Sequence, residues 1–277
     1  MPMTRVDEYI NILKPLLSNY VIKGNDKEFL QYLKENSNLP GRRANLELAE
    51  AFSNLILKQE DENLEKVKLL IKKLLSFSIQ KAPTNDKKEF YAFCGTWSLG
   101  SFGISEDYSD FSYSNLKLMA KDKRWRIREA VAKAIKILVQ YDRDRLVLNL
   151  KSWFKEENNW LIMRAIVAGI AESLVVPSIM IDTHFVNECL NFHKLIIQII
   201  QSSNDRRSDD FQTLKKGLGY TLSVIVQASP EDGFIYLKEL SKSNDKDILW
   251  ILNNNIKKNR LIKNYPKQVK ELKNLLK

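Results

Sequence analysis

One pattern occurs twice in this chain, about 35 residues apart, and this repetition constrains the fold more than any other feature. The first copy is KDKRWRIREAVAKAI, starting at Lys121, and the second is ENNWLIMRAIVAGI, starting at Glu157. Each copy contains a Trp, a basic residue one helical turn later and an Ala-rich apolar run. A helical unit of this length cannot bury its apolar face alone, so neighbouring units must stack. The spacing therefore predicts an α-solenoid.

Helices are expected along the whole chain. Glycine and proline are scarce, at 9 and 7 residues of 277, and apolar residues recur at intervals of three and four rather than alternating. Pro83 and the Asp86 to Glu89 spacing of a capping box mark the start of an aromatic helix that should form a buried layer. We expect an all-α fold of about 14 helices in six to seven hairpins, wound into a right-handed α-α superhelix.

The expected organisation is a single repeat domain over residues 1–277. It would consist of N-terminal helices at 1–99, a loop at 100–114 and C-terminal repeats at 115–277. The loop prediction rests on weak periodicity and on a content of Gly, Ser and aromatic residues, and long loops are often functional. Its aromatic side chains either contact a ligand or attach the loop to the core, and the sequence leaves both open.

Positive charge is concentrated in two stretches of a chain whose net charge is +10. Residues 117–151 hold eleven Lys and Arg against four acids, and residues 242–277 hold ten against three. Basic surfaces of this kind favour an anionic partner such as double-stranded DNA, because each neutralised phosphate releases counterions. A second interpretation is that these Lys-rich helices are simply solvated surfaces.

The remaining composition indicates a cytoplasmic, monomeric protein without a membrane segment. No apolar run approaches the roughly 18 residues of a spanning helix, and the N-terminus lacks the apolar region of a signal peptide. Cys94 and Cys189 lie in apolar stretches without a CxxC partner, which predicts buried reduced thiols. His184 and His193 are isolated, and we expect neither a metal nor a cofactor.

Four segments carry a resemblance to a known family. They are D-x-x-W from Asp122, E-N-N-W-L-x-x-R-A from Glu157, K-K-G-L-G-Y-T-L from Lys215 and S-P-E-D-G-F from Ser229. Together they make residues from about 115 to about 260 similar to the bacterial DNA alkylation repair glycosylases, which are built from HEAT-like repeats of the HEAT/armadillo type. The resemblance does not extend to the N-terminal half.

The resemblance implies a concave DNA-binding cleft. In that family a Trp, an Asp four positions later, an Arg in the next repeat and a Trp in the repeat after it line this cleft. The matching residues here are Trp125, Glu129, Arg164 and Tyr220, so that Glu replaces the Asp and Tyr replaces the second Trp.

The chemistry implied is hydrolysis of the N-glycosidic bond of a cationic alkylated purine. A carboxylate, here Glu129, would stabilise the developing oxocarbenium and position water, while Trp125 and Tyr220 hold the deoxyribose and Arg164 holds the phosphate. The longer Glu side chain moves the carboxylate by about an ångström, and such a misplacement can cost about a hundredfold in rate. A surface pair with Lys133, one turn away, explains Glu129 equally well. Enzymatic activity therefore stays open.

Each candidate also has a structural interpretation. Trp125 and Trp160 are each either a packing wedge between repeats or a ligand platform, and Arg164 either binds phosphate or caps a helix or pairs with Glu157. Tyr220 is either a ligand contact or a core residue with its hydroxyl at the edge. The residues expected to contact DNA are basic and follow the repeats: Arg126, Arg128, Lys133, Arg164, Lys216, Lys257, Lys258 and Arg260.

Two functions from different classes follow from these patterns. The first is a DNA-binding helical-repeat protein related to the alkylpurine glycosylases, with or without activity. The second is a non-catalytic scaffold that binds a protein partner in its groove, because the same curved surface serves either role. A concave face that gathers Arg126, Lys133 and Arg164 with the cluster of Lys257, Lys258 and Arg260 would favour DNA. An apolar concave face, with the charges on the convex side, would favour a protein.

Overall fold

The computed structural model describes residues 3–276, and all their regular structure is helical. Sixteen α-helices and one 3-10 turn (Asp61–Asn63) are present, with no β-strand in this part of the chain. The helices are α1 (Arg5–Lys23), α2 (Lys27–Glu35), α3 (Leu46–Leu57), α4 (Leu64–Leu75), α5 (Glu89–Phe102), α6 (Glu106–Ala120), α7 (Trp125–Tyr141), α8 (Arg143–Glu156), α9 (Trp160–Leu174), α10 (Pro177–Met180), α11 (Thr183–Ser202), α12 (Asp209–Ala228), α13 (Pro230–Leu240), α14 (Lys246–Ile256), α15 (Asn259–Asn264) and α16 (Pro266–Leu275). The all-α prediction is confirmed.

The chain divides into two compact units, one ending at Tyr141 and the other beginning at Asp142. In the first unit α1, α3, α5 and α7 pack side by side in chain order, and α2, α4 and α6 pack against α5. All residues of α5 are buried, which confirms the predicted aromatic layer. Gly100 permits this packing, because a Cβ at that position would lie 2.6 Å from the carbonyl oxygen of Ala134 on α7.

The second unit is arranged around α12. Helices α9 and α14 pack on α12, while α11 contacts both α9 and α12 and α13 contacts α12 and α14. The short α15 contacts α12, α14 and α16, so that it holds the segment after α14 against α12. This arrangement positions the exposed turn of α12 beside the start of α15.

Two sequence predictions in the first unit are wrong. Residues 100–114 do not form a loop, because α5 continues to Phe102 and α6 begins at Glu106. The Asp86 to Glu89 capping box does not form either. Glu89 is the first residue of α5, and its buried Oε2 accepts from the backbone N–H of Asn85 at 2.8 Å. The division of the chain at 141/142 also differs from the segmentation expected at 99 and 115, whereas the single repeat domain stays a prediction.

Both cysteines are buried and reduced, as predicted. Burial raises the pKa of each thiol well above its ordinary value, and for Cys189 the charges of Glu188 and Asp182 add to this effect. The thiols are therefore protonated at neutral pH and behave as small apolar side chains. Within residues 3–276 no helix has both the length and the apolar character needed to cross a bilayer.

Candidate nucleic-acid interface

An exposed tyrosine and two cations form a cluster in the second unit. Tyr220 is 43% exposed on α12, and Arg260 Nη2 donates a hydrogen bond to its hydroxyl at 2.6 Å. The Arg260 guanidinium carbon lies 4.8 Å from the ring centroid and Lys258 Nζ lies 5.7 Å from it. We call these three residues the Tyr220 cluster. Cations over an aromatic ring attract its π-electrons, so the ring holds two positive charges in place at the surface.

A buried amide anchors the backbone that carries Tyr220. Asn255 on α14 is fully buried; its Nδ2 donates to the carbonyl of Leu218 and its Oδ1 accepts from the N–H of Ser223, both at 2.8 Å. The hydroxyl of Ser223 in turn donates to the carbonyl of Tyr220 at 2.7 Å. The turn of α12 around Tyr220 is therefore fixed to α14 by hydrogen bonds on its buried side.

An open cleft of about 590 Å³ lies beside the Tyr220 cluster. One side is apolar and comes from the end of α9 and from α10, and the other side is polar and comes from α12 and the start of α15. The residues that line this Tyr220 cleft are Leu174, Val175, Pro177, Met180, Tyr220, Gln227, Lys258, Asn259 and Arg260. Its volume falls within the range of about 300–1,000 Å³ that is usual for small-molecule sites.

The other predicted DNA contacts of the second unit lie on the same helices. Lys216 is exposed one turn before Tyr220, and Lys257 is exposed directly after α14. Arg164, half-buried on α9, runs its stem along α12, since a Cβ at Gly217 would lie 3.6 Å from Arg164 Cγ. The sequence thus selected residues that share α9, α12 and the α14–α15 junction. The phosphate, capping and Glu157 interpretations of Arg164 stay predictions.

In the first unit, Trp125 begins α7 and is 45% exposed. The guanidinium carbon of Arg126 lies 4.5 Å from its ring centroid. Trp160 differs, because it is buried in the second unit, its Nε1 donates to the carbonyl of Asp205 at 3.1 Å, and its ring meets Phe211 edge-on. Trp160 is therefore a packing residue, whereas Trp125 presents its ring to solvent.

Arg126 does not face outward, contrary to the prediction. Its Nη1 donates to Glu89 Oε2 at 3.1 Å, and its Nη2 donates to Asn85 Oδ1 at 2.9 Å and to the carbonyl of Gly41. These partners surround the guanidinium at the start of α7, so the side chain is buried. Arg126 is a structural residue that supports Trp125, and its predicted place on the outward face of α7 is wrong.

Arg128 is also buried, which contradicts its predicted role at the surface. Its Nη1 donates to the carbonyls of Asp122 and Lys123, at 2.7 and 2.9 Å. Both carbonyls belong to the segment that joins α6 to α7, so the arginine holds this turn closed. The Arg128 guanidinium thus gives a hydrogen-bond donor to two backbone carbonyls that lie between the helices and have no donor within a helix.

Glu129 and Lys133 follow Trp125 at successive turns of α7, and both side chains are half-buried. Lys133 also lines a depression of about 310 Å³ between α3 and α7, together with Lys136, Arg43, Glu47 and Glu50. Trp125, Glu129 and Lys133 thus share one stripe of α7, as their spacing of four predicts. They belong to the unit that ends at Tyr141, while Arg164 and Tyr220 belong to the other.

The sequence interpretation missed Asn255 and the apolar side of the Tyr220 cleft. Asn255 is the last of three consecutive asparagines, which differ only in the face of the helix on which they lie. Its spacing from Ile248 and Ile251 places Asn255 on the buried face of α14. The apolar side includes Val175 and Pro177, which the sequence marks only as the end of a helix.

Comparison of the chain with protein-family models, with curated proteins and with solved structures gives no match. Among residues 3–276 no group of three or more His, Cys, Asp or Glu side chains is placed to hold a metal ion.

Proposed function

We propose that this protein is a DNA-binding helical-repeat protein that contacts the backbone of double-stranded DNA through the second unit. The observation that carries the proposal is the Tyr220 cluster, in which an exposed aromatic ring holds Arg260 and Lys258 at the surface. Two exposed lysines add positive charge, Lys257 directly before Lys258 and Lys216 one helical turn before Tyr220. Fixed cations beside an aromatic ring suit a phosphodiester followed by a sugar.

The architecture proposed for this function is the right-handed superhelix of the HEAT/armadillo type. Side-by-side packing of α1, α3, α5 and α7, and of α9, α12 and α14, supports stacked helical repeats within each unit. Stacked repeats provide extended surfaces on which a long polyanion can lie.

A narrower proposal, which rests on the family resemblance, is excision of cationic alkylated purines. Glu129 would be the carboxylate that stabilises the oxocarbenium, and Trp125, one turn earlier on α7, would contact the deoxyribose. The exposure of the Trp125 ring supports this proposal. The test is release of 7-methylguanine or 3-methyladenine from alkylated DNA, with Glu129→Gln as the variant that should abolish release.

Binding is tested by fluorescence anisotropy with a labelled duplex of about 20 base pairs, from about 50 to about 200 mM salt. Because log K falls with log salt by about 0.9 per neutralised phosphate, we expect a steep slope. Replacing Lys257, Lys258 and Arg260 by Ala should flatten it by about 2 to 3 units. A control that replaces Lys267, Lys270 and Lys273 on α16 loses the same charge and should change the slope less.

A second candidate function is a scaffold for a protein partner. The observation that favours it is the exposure of apolar side chains on α8 and α11, where Leu148 is 68% and Leu195 is 47% exposed. Absence of duplex binding at low salt, or equal slopes for both triple variants, would overturn the DNA proposal and favour this one.

A further inference from the structure

The Tyr220 cleft combines two chemically different sides. Lys258 and Arg260 supply positive charge on one side, and the carboxamides of Gln227 and Asn259 add groups that can donate and accept hydrogen bonds. Val175, Pro177 and Met180 give the opposite side an apolar surface. A ligand that fills this cleft therefore carries a negative group at one end and a flat or apolar group at the other.

The position of α9 decides which end of the cleft receives the negative group. This helix ends at Leu174 with Val175 as its C-cap, so its last carbonyls give the apolar side a partial negative charge. A phosphate is disfavoured there and favoured at Arg260 and Lys258. The apolar side is left for a neutral ring, and carboxamides such as that of Gln227 recognise the edges of nucleobases.

We infer that the Tyr220 cleft binds an unpaired nucleotide, with its phosphate at Arg260 and Lys258 and its base against Val175, Pro177 and Met180. A base within an intact duplex is stacked and cannot offer its face to a protein side chain, whereas an unpaired base can. The inference rests on the proposed DNA binding and narrows its substrate to DNA that contains unstacked nucleotides.

The test is fluorescence anisotropy of this 277-residue chain with two labelled duplexes, one fully paired and one with a short central bulge of unpaired thymidines. Base contacts of this kind are worth enough that we expect the bulged duplex to bind about tenfold more tightly. Val175→Ser removes methyl groups from the apolar side of the cleft at a residue that is 52% exposed, and it should reduce this preference to about threefold.

The matched control is Ile181→Ser, which alters a neighbouring apolar residue that is 76% exposed and does not line the cleft. It should keep the full preference. Equal binding of bulged and paired duplexes by the unmodified protein overturns this inference and leaves duplex binding intact. A preference that survives Val175→Ser unchanged also overturns it, since the base then lies elsewhere.

Two further outcomes distinguish a failure of the nucleotide assignment from a failure of the proposed DNA binding. Failure to bind either duplex overturns the proposed DNA function, and the cleft assignment falls with it. A Glu-rich peptide is added as a competitor at a concentration of negative charge equal to that of the bulged duplex. If it displaces this duplex, the cleft binds an acidic protein segment, and the assignment to a nucleotide is overturned.

Discussion

Arg126 and Glu89 form a buried salt bridge, with Nη1 and Oε2 3.1 Å apart and side chains that are 3% and 0% exposed. The same carboxylate oxygen accepts from the N–H of Asn85, and the same guanidinium donates to the carbonyl of Gly41. Three chain segments therefore meet at the start of α7. Because Arg126 also lies beneath the Trp125 ring, the ion pair supports the exposed aromatic residue.

Glu89→Ala should lower the free energy of unfolding by about 3 to 5 kcal/mol, because it leaves the Arg126 charge buried without a counter-ion. Urea denaturation followed by circular dichroism measures the change. The control is Glu47→Ala, which breaks an exposed ion pair with Arg43 and should cost less than about 1 kcal/mol. Equal losses in the two variants would show that the buried pair does not stabilise the fold.

Sequence patterns were sufficient for the helical class and for the buried aromatic layer of α5. They fail at residues 100–114, where weak periodicity and the content of Gly, Ser and aromatic residues predict a loop. Gly100 instead lies where α5 and α7 approach closely, and a side chain there would meet the backbone of Ala134. A glycine selected for close helix packing and a glycine selected for a turn look the same in a single sequence.

The candidate site was predictable only in part, and the reason is sequence separation. The family resemblance points to Tyr220 and the basic stretch at 242–277 points to Arg260, but their hydrogen bond joins residues 40 positions apart. Arg126 was placed on the surface because its partners Glu89 and Gly41 lie 37 and 85 positions away. Helix periodicity gives the face of a residue within its own helix and carries no information on which distant segment covers that face.

Acidification should destabilise the protein through His193. This imidazole is fully buried between the carbonyl of Cys189 at 3.1 Å and the hydroxyl of Thr221 at 2.9 Å. Burial lowers the pKa of His193 from 6.5 to about 4. Between pH 6.5 and about 4 the unfolded chain binds a proton at this imidazole, whereas the folded chain keeps it neutral. The contribution of His193 to the free energy of unfolding is therefore fully present above pH 6.5 and is lost as the pH falls towards 4.

The loss from this histidine should be about 3 kcal/mol across that interval, because each pKa unit corresponds to about 1.4 kcal/mol. Urea denaturation at a series of pH values measures it. His193→Gln should remove this part of the pH dependence, whereas His184→Gln, at an exposed histidine, should keep it. A profile that is the same in all three proteins would contradict the assignment.

Asn255→Ala should affect both stability and DNA binding. The substitution leaves the carbonyl of Leu218 and the N–H of Ser223 without the buried amide that joins α14 to α12, at a cost of about 1 to 3 kcal/mol. Release of this turn should also move Tyr220 and weaken duplex binding several-fold. Asn253→Ala is the control, because the Asn253 side chain donates within its own helix, to the carbonyl of Leu249. Anisotropy and urea denaturation provide the two measurements.

The two tryptophans that share the repeat pattern should respond in opposite ways to substitution. Trp160→Ala removes a buried ring that packs on Phe211 and bonds to Asp205, so it should cost about 3 to 5 kcal/mol of unfolding free energy. Trp125→Ala removes an exposed ring and should cost less than about 1 kcal/mol, while it slows the release of alkylated purine from DNA about tenfold. Iodide should quench the fluorescence of Trp125 more strongly than that of Trp160, and the loss of this signal in each variant identifies the tryptophan that produces it. If Trp125→Ala releases alkylated purine as fast as the unmodified protein does, the proposal that Glu129 acts on a nucleotide beside this ring fails.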